Sequence, residues 1–140
     1  MSKTYFRLAT KNLFVTYPQC DAPLKDYKIF IETKFKDSLE YAIISQEKHT
    51  DGNLHIHGLI CLKKRVNYRS PHCLDFHYKG ETYHGKYEGA RSVNNTTKYV
   101  CKDPVDIIGI NCDWTLMLKA AKEKTSSKNA LIANALMEGK

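Results

Sequence analysis

The stretch from Tyr41 to Leu62 constrains the fold of this chain more than any other. Tyr41 to Lys48 is rich in apolar and β-branched residues, the composition of a strand. His49-Thr50-Asp51-Gly52-Asn53 follows with an Asp-Gly turn signal. Leu54 to Leu62 is a second apolar run, so 41–62 is predicted to be a β-hairpin. Strand side chains alternate between faces, which places His55 and His57 on the same side. Two imidazoles so placed can chelate one metal ion, although the pattern alone also describes two unrelated half-buried histidines. Glu47 ends the preceding strand. If it faces His55 or His57, the hairpin centre falls on Asp51 or Gly52. The loop then has an odd length, with Gly52 in the left-handed conformation as a bulge. Glu47, His55 and His57 would form a two-imidazole, one-carboxylate metal site with positions open to water and substrate. That donor set suits zinc, and also manganese when phosphate oxygens complete the shell.

The rest of the chain supplies elements of both kinds. Leu13 to Tyr17, closed by Pro18, reads as a strand. Asp21 and Pro23 signal a helix start. Leu24, Tyr27, Ile31 and Phe35 follow at helical spacing on one face, and the helix is expected to end near Asp37. Cys73 to Tyr78 and Thr82 to Tyr87 are weaker strands around a turn at Lys79-Gly80. Arg91 to Cys101 is a helix capped by Ser92 or Asn94 and stopped by Pro104. The order predicts an α+β domain, with helices packed on one face of a mainly antiparallel sheet. Residues 1–112 are assigned to this domain. In 113–140, helices are expected at Trp114 to Lys124 and Asn129 to Met137, as the start of a linker or oligomerisation region in a chain cut short.

With 140 residues and 42% hydrophobic content, the chain can bury one core without staples. No apolar run approaches the roughly 18 residues needed to cross a bilayer, and Met1 to Lys11 lacks the apolar stretch of a secretory signal. Membrane and secreted classes are therefore excluded as expectations. The five cysteines, Cys20, Cys61, Cys73, Cys101 and Cys112, are odd in number and show no CxxC spacing. They read as reduced thiols in an intracellular protein. Twenty-two Lys and Arg against 15 Asp and Glu leave a net charge of +7, which suggests an anionic partner, most commonly nucleic acid.

A second chemical signal is Tyr99-Val100-Cys101-Lys102-Asp103-Pro104. On a helix, Tyr99, Lys102 and Asp103 would lie one above another. A phenol with a pKa of about 10 is a poor nucleophile at neutral pH, and a nearby ammonium or metal favours the phenolate. Lys102 is placed to do this, or to neutralise a phosphoryl group, and Asp103 could add a metal ligand. The plainer reading is a core tyrosine with an ion pair at the helix end.

Three segments together resemble one family. Phe14-Val15-Thr16-Tyr17-Pro18-Gln19-Cys20 is similar to the first motif of the replication initiator (Rep) proteins of geminiviruses and related circular single-stranded DNA viruses. Leu54-His55-Ile56-His57 resembles their metal-binding HUH motif, and Tyr99-Val100-Cys101-Lys102-Asp103 their tyrosine motif. Order and approximate separations agree. Val15 stands where leucine is more usual, and 63–92 matches poorly.

The resemblance implies an HUH endonuclease domain, with a five-stranded antiparallel sheet on an RRM/ferredoxin-like core and flanking helices. It implies nicking and joining of single-stranded DNA in a viral origin stem-loop, through a 5′-phosphotyrosine, to start rolling-circle replication in the host nucleus. Tyr99 would be the nucleophile. Glu47, His55 and His57 would bind Mn2+ or Mg2+, while Lys102 and Asp103 match residues that follow the family's tyrosine. A helicase domain would follow in the full-length protein, which would also bind duplex origin repeats and could form homo-oligomers.

Candidate DNA contacts are Phe14, Tyr17, Gln19, Lys63, Lys64, Arg65, Arg69, Lys86 and Arg91. Tyr68, Tyr83, Tyr87 and His84 offer rings for stacking on unpaired bases. Core packing is the plainer role for the first motif, and a solvated hairpin end for Lys63 to Arg65. His49, His72 and His77 are read as surface or structural histidines. The competing classes are an RRM-like module that binds without cutting, and an HUH relaxase or transposase of a mobile element. A structural zinc protein is disfavoured by the cysteine spacing.

Overall fold

Asp51-Gly52 closes the hairpin on which the rest of the fold is laid. In the computed structural model, which describes residues 5–126, strand β2 (Leu39–Lys48) pairs antiparallel with β3 (Leu54–Tyr68). Glu47 stands opposite His55, and the turn is a five-residue loop over 49–53. Gly52 has φ of 90°, a backbone region that glycine occupies at no steric cost. The odd loop and the left-handed Gly52 are those the sequence predicts.

Strand β1 (Leu8–Tyr17) covers the other edge of β3. It is followed by helix α1 (Leu24–Phe35) and a short 3-10 turn at Lys36–Ser38. Strands β4 (Phe76–Tyr78) and β5 (Glu81–Tyr83) form a separate two-stranded ribbon. Its turn at Lys79-Gly80 has positive φ at both residues, as a two-residue hairpin turn requires. Strand β6 (Lys86–Gly89), helix α2 (Val93–Val100), strand β7 (Asp106–Ile110) and helix α3 (Trp114–Ser126) complete the described chain. The main sheet has five antiparallel strands in the order β6-β1-β3-β2-β7. This is the expected α+β architecture.

Helices cover both faces of the sheet, not one. Leu24, Tyr27, Ile31 and Phe35 of α1 pack against Val15, Ile44, Ile56 and Ile60. Each fully buried aliphatic side chain there contributes about 1.5–3 kcal/mol. On the opposite face, Ile43, Leu59 and Cys61 meet Val100 of α2 and Trp114, Met117 and Leu118 of α3. The start of the 113–140 stretch thus folds back onto the sheet, and the helix expected at Asn129 to Met137 lies outside the described residues. Gln46, buried, donates from Nε2 to the carbonyls of Cys20 (3.1 Å) and Ala22 (2.8 Å). That pair of bonds ties the segment after β1 to the sheet beside Glu47.

Strand β3 runs to Tyr68, well past the expected Leu62. Between Thr10↔Val66 and Asn12↔Cys61 its pairing with β1 slips. Lys63, Lys64 and Arg65 occupy that irregularity and are exposed, so they are not a hairpin end. The Thr82 to Tyr87 strand also divides: Glu81–Tyr83 pairs with β4, while Lys86–Gly89 becomes an edge strand on β1. β7, not expected from the sequence, pairs with β2.

Candidate active site

Alternation along the strands sets one row of side chains across the sheet. Lys86, Thr16, His57, Ser45 and Ile107 are successive cross-strand neighbours from β6 to β7. His55 lies two residues before His57 on the same face, beside Glu47. Glu47 Oε1 is 3.3 Å from His55 Nε2 and 3.8 Å from His57 Nε2. The three ligand atoms lie within 4.8 Å of one another. Both imidazoles are buried and the carboxylate is mostly so.

Burial holds the His57 ring down to about 4, with His55 and His49 adding to the shift. Burial, then His49, also lowers His55, against the pull of Glu47. Both shifts favour the neutral imidazole, the form that ligates metals. His57 Nδ1 lies 3.5 Å from Thr16 Oγ1, a partner able to orient the ring. Ser45 Oγ and His55 Nδ1 are the buried side-chain polar atoms without a hydrogen-bond partner among the described residues. Both lie at this site, where His55 is held through Nε2 by Glu47. Two neutral imidazoles converging on one carboxylate fit a divalent cation.

Tyr99 comes to this site from α2. Ser92 caps that helix, its Oγ accepting from the Asn95 amide at 3.1 Å, which selects between the two expected caps. The Tyr99 ring lies 5.1 Å from the His57 ring and 5.7 Å from Phe14, edge-on to both. Phe14 stacks on His57 at 6.5 Å, so it is a wall of this site. Tyr99 is 50% exposed, which leaves it accessible to a substrate. The helix ends at Val100, because Pro104 disfavours helical geometry at Asp103. Lys102 and Asp103 therefore sit in the following turn and not on the helix face predicted for them. Lys102 N bonds to Tyr99 O at 3.3 Å. Asp103 is exposed and stands outside the Glu47–His55–His57 group.

The candidate DNA contacts separate. Tyr17 is excluded: it is fully buried, donating to Leu74 O at 2.6 Å and accepting from Tyr27 OH at 3.0 Å. Tyr87 is buried too, so it offers no base a stacking face. Gln19 is exposed and lines a cavity of about 430 Å³ with Asn53, Glu81 and Tyr83. Lys86 lies on the site face, two strands from His57, about 10 Å away at the spacing of neighbouring strands. Lys63 to Arg65 lie about 20–26 Å along β3 from His57. Arg69 and Arg91 are exposed. Sequence reasoning missed Thr16 as a partner of His57. It also missed His49, whose ring lies 3.8 Å from that of His55. A turn histidine carries no periodic signal that would have placed it there.

Residues 6–113 match the family model of the geminivirus Rep catalytic domain. The chain is 31% identical over 102 residues to the replication-associated protein of cabbage leaf curl virus (isolate Jamaica), covering 70% of this chain and 29% of that protein. It is 34% identical over 99 residues to replication-associated protein A of tobacco yellow dwarf virus (strain Australia), covering 70% and 32%. For replication-associated protein A of maize streak virus genotype B (isolate Tas) the identity is 30% over 107 residues, covering 76% and 38%. The chain thus spans well under half the length of these relatives. With the match extending over most of its residues, the chain belongs to the geminivirus Rep catalytic domain family.

Proposed function

We propose that this domain initiates rolling-circle replication by nicking and joining single-stranded DNA in a viral origin stem-loop. The observation that carries the reading is the half-exposed Tyr99 ring, 5.1 Å from His57 in the Glu47–His55–His57 group. Tyr99 Oη attacks the scissile phosphorus in line and gives up its proton to solvent. The 3′-oxygen leaves and takes a proton, and a 5′-phosphotyrosine remains. The link keeps the energy of the diester, so a later 3′-hydroxyl can reseal a strand without ATP. A divalent cation held by Glu47, His55 and His57, Mn2+ or Mg2+ in this reading, would supply Lewis acidity toward a non-bridging phosphate oxygen. Thr16 orients His57, and Phe14 holds the Tyr99 ring against it. Lys102, just past Tyr99, offsets charge on the phosphoryl group, and Asp103 flanks the site. Such catalysis is mainly positioning and charge neutralisation.

Recognition of duplex origin repeats and action in the host nucleus belong to the same reading. It is tested by incubating the domain and Tyr99→Phe with single-stranded origin oligonucleotides and Mn2+ on denaturing gels. The wild type should yield a protein–DNA conjugate. Tyr99→Phe should yield none while retaining DNA affinity within about twofold, since it loses one hydroxyl. Conjugate formation by Tyr99→Phe would refute the assignment.

A further inference from the structure

We propose that His72, Asp75 and His84 form a second transition-metal site, of zinc type, on the side of the sheet away from Tyr99. His72 and Asp75 come from the loop after β3, and His84 from the link between β5 and β6. Asp75 Oδ2 lies 2.9 Å from His72 Nδ1, and Oδ1 lies 2.7 Å from His84 Nδ1. The two rings are 4.6 Å apart, and one ligand atom from each of the three residues falls within a 4.8 Å set. Two imidazoles and one carboxylate form a donor set suited to zinc, not to the all-oxygen shells of calcium and magnesium.

The carboxylate is held from behind. Tyr87 OH donates to Asp75 Oδ1 at 2.7 Å and accepts from the Gly85 amide at 2.9 Å. Tyr87 is itself buried and packs on Tyr17. A hydrogen bond of this kind to a ligating carboxylate orients the ligand and is a regular part of metal sites. Asp75 is 10% exposed, while the His72 and His84 side chains are 66% and 50% exposed. The fixed ligand is thus the inner one, and the two outer ligands are free to adjust. Ligands on a tetrahedral zinc stand about 3.3 Å apart, so each imidazole nitrogen would open by about half an ångström from the carboxylate oxygen it now meets.

The Nδ1 atoms that now face Asp75 would be the ligand atoms. Each ring would ligate as a neutral imidazole with its N–H on Nε2, and the fourth position stays open to water. Tyr87 faces away from the row of Lys86, Thr16 and His57 because it alternates with Lys86 along β6. The site is therefore separate from Glu47, His55 and His57. A cation there would cross-link the loop after β3 to the start of β6 and so staple the β4–β5 ribbon to the sheet.

The test is zinc titration of the full chain, stripped with chelator, in competition with a chromophoric chelator. Wild type, His72→Ala, and the double variant His55→Ala/His57→Ala are compared. The wild type should bind two equivalents. His72→Ala, an exposed substitution that leaves the Asp75 bonds to His84 and Tyr87, should lose one of them or weaken it at least tenfold. His55→Ala/His57→Ala should keep one equivalent, and zinc should raise its melting temperature. That gain should vanish when His72→Ala is added. Equal stoichiometry and affinity in wild type and His72→Ala would overturn the proposal, whether or not the double variant folds.

Discussion

Glu47 and His55 face each other across the β2–β3 hairpin, with 3.3 Å between Oε1 and Nε2. A slip of one residue would turn both histidines to the α1 side of the sheet. The five-residue turn prevents that, and Gly52 is the residue that lets the turn close. A Cβ at Gly52 would meet nothing within 4 Å, so Gly52→Ala carries a conformational cost and no clash. It should destabilise the domain by about 1 kcal/mol, read by urea denaturation, while metal affinity at Glu47, His55 and His57 stays within a few-fold of wild type.

Phe14 touches both His57 and Tyr99. Phe14→Ala removes the ring that packs against both Tyr99 and His57. It should cost about 2 kcal/mol of stability, less than for a fully buried phenylalanine. The rate of conjugate formation should fall at least tenfold, because a small misplacement of a reacting group is expensive. Single-turnover gels at saturating oligonucleotide separate this from weaker binding. An unchanged rate would remove Phe14 from the site.

Asp113 caps α3, where its Oδ1 accepts from the Thr115 amide at 3.0 Å and from the Thr115 hydroxyl. Those bonds, side chain first, hold its carboxyl below the ordinary range. A carboxyl lowered in the folded state stabilises it above the unfolded pKa. That contribution is lost as pH falls through the folded value. Melting temperature should therefore fall more steeply with acidification in wild type than in Asp113→Asn, below about pH 4. Parallel acid limbs would show that the cap carries no charge-dependent stability.

Lys86 and the Lys63–Arg65 run divide the candidate phosphate contacts by distance. Lys86 lies about 10 Å from His57, and the run about 20–26 Å away. Lys86→Gln should weaken an oligonucleotide just long enough to reach Tyr99, and should lower its salt slope by about 1. Neutralising Lys63, Lys64 and Arg65 should leave that short ligand unaffected and weaken only longer strands. Fluorescence anisotropy across a salt series measures both. The reverse pattern would place the DNA along the far end of β3.

The hairpin and the Glu47–His55–His57 group were legible because the Asp-Gly turn and the alternation of His55 and His57 agree on one register. The facing of Tyr17 was not. Helices cover both sides of the sheet, so the central strands are apolar at successive positions and alternation no longer reports exposure. The reach of β3 to Tyr68 was hidden by Lys63-Lys64-Arg65, a polar run carried through an irregularity in the pairing with β1. β7 is a short apolar run, Asp106–Ile110, that becomes a strand through its pairing with β2. α2 was legible from Ser92 to Pro104. The meeting of Tyr99 with His57 depends on long-range packing that no local pattern encodes.

The central claim is that Tyr99 carries the DNA. Peptide mapping by mass spectrometry of the conjugate formed with Mn2+ and an origin oligonucleotide tests it directly. After digestion of protein and DNA, the 5′-phosphonucleotide should be found on the peptide containing Tyr99, and on no other tyrosine. A nucleotide attached to a different residue, or through its 3′ end, would contradict the account.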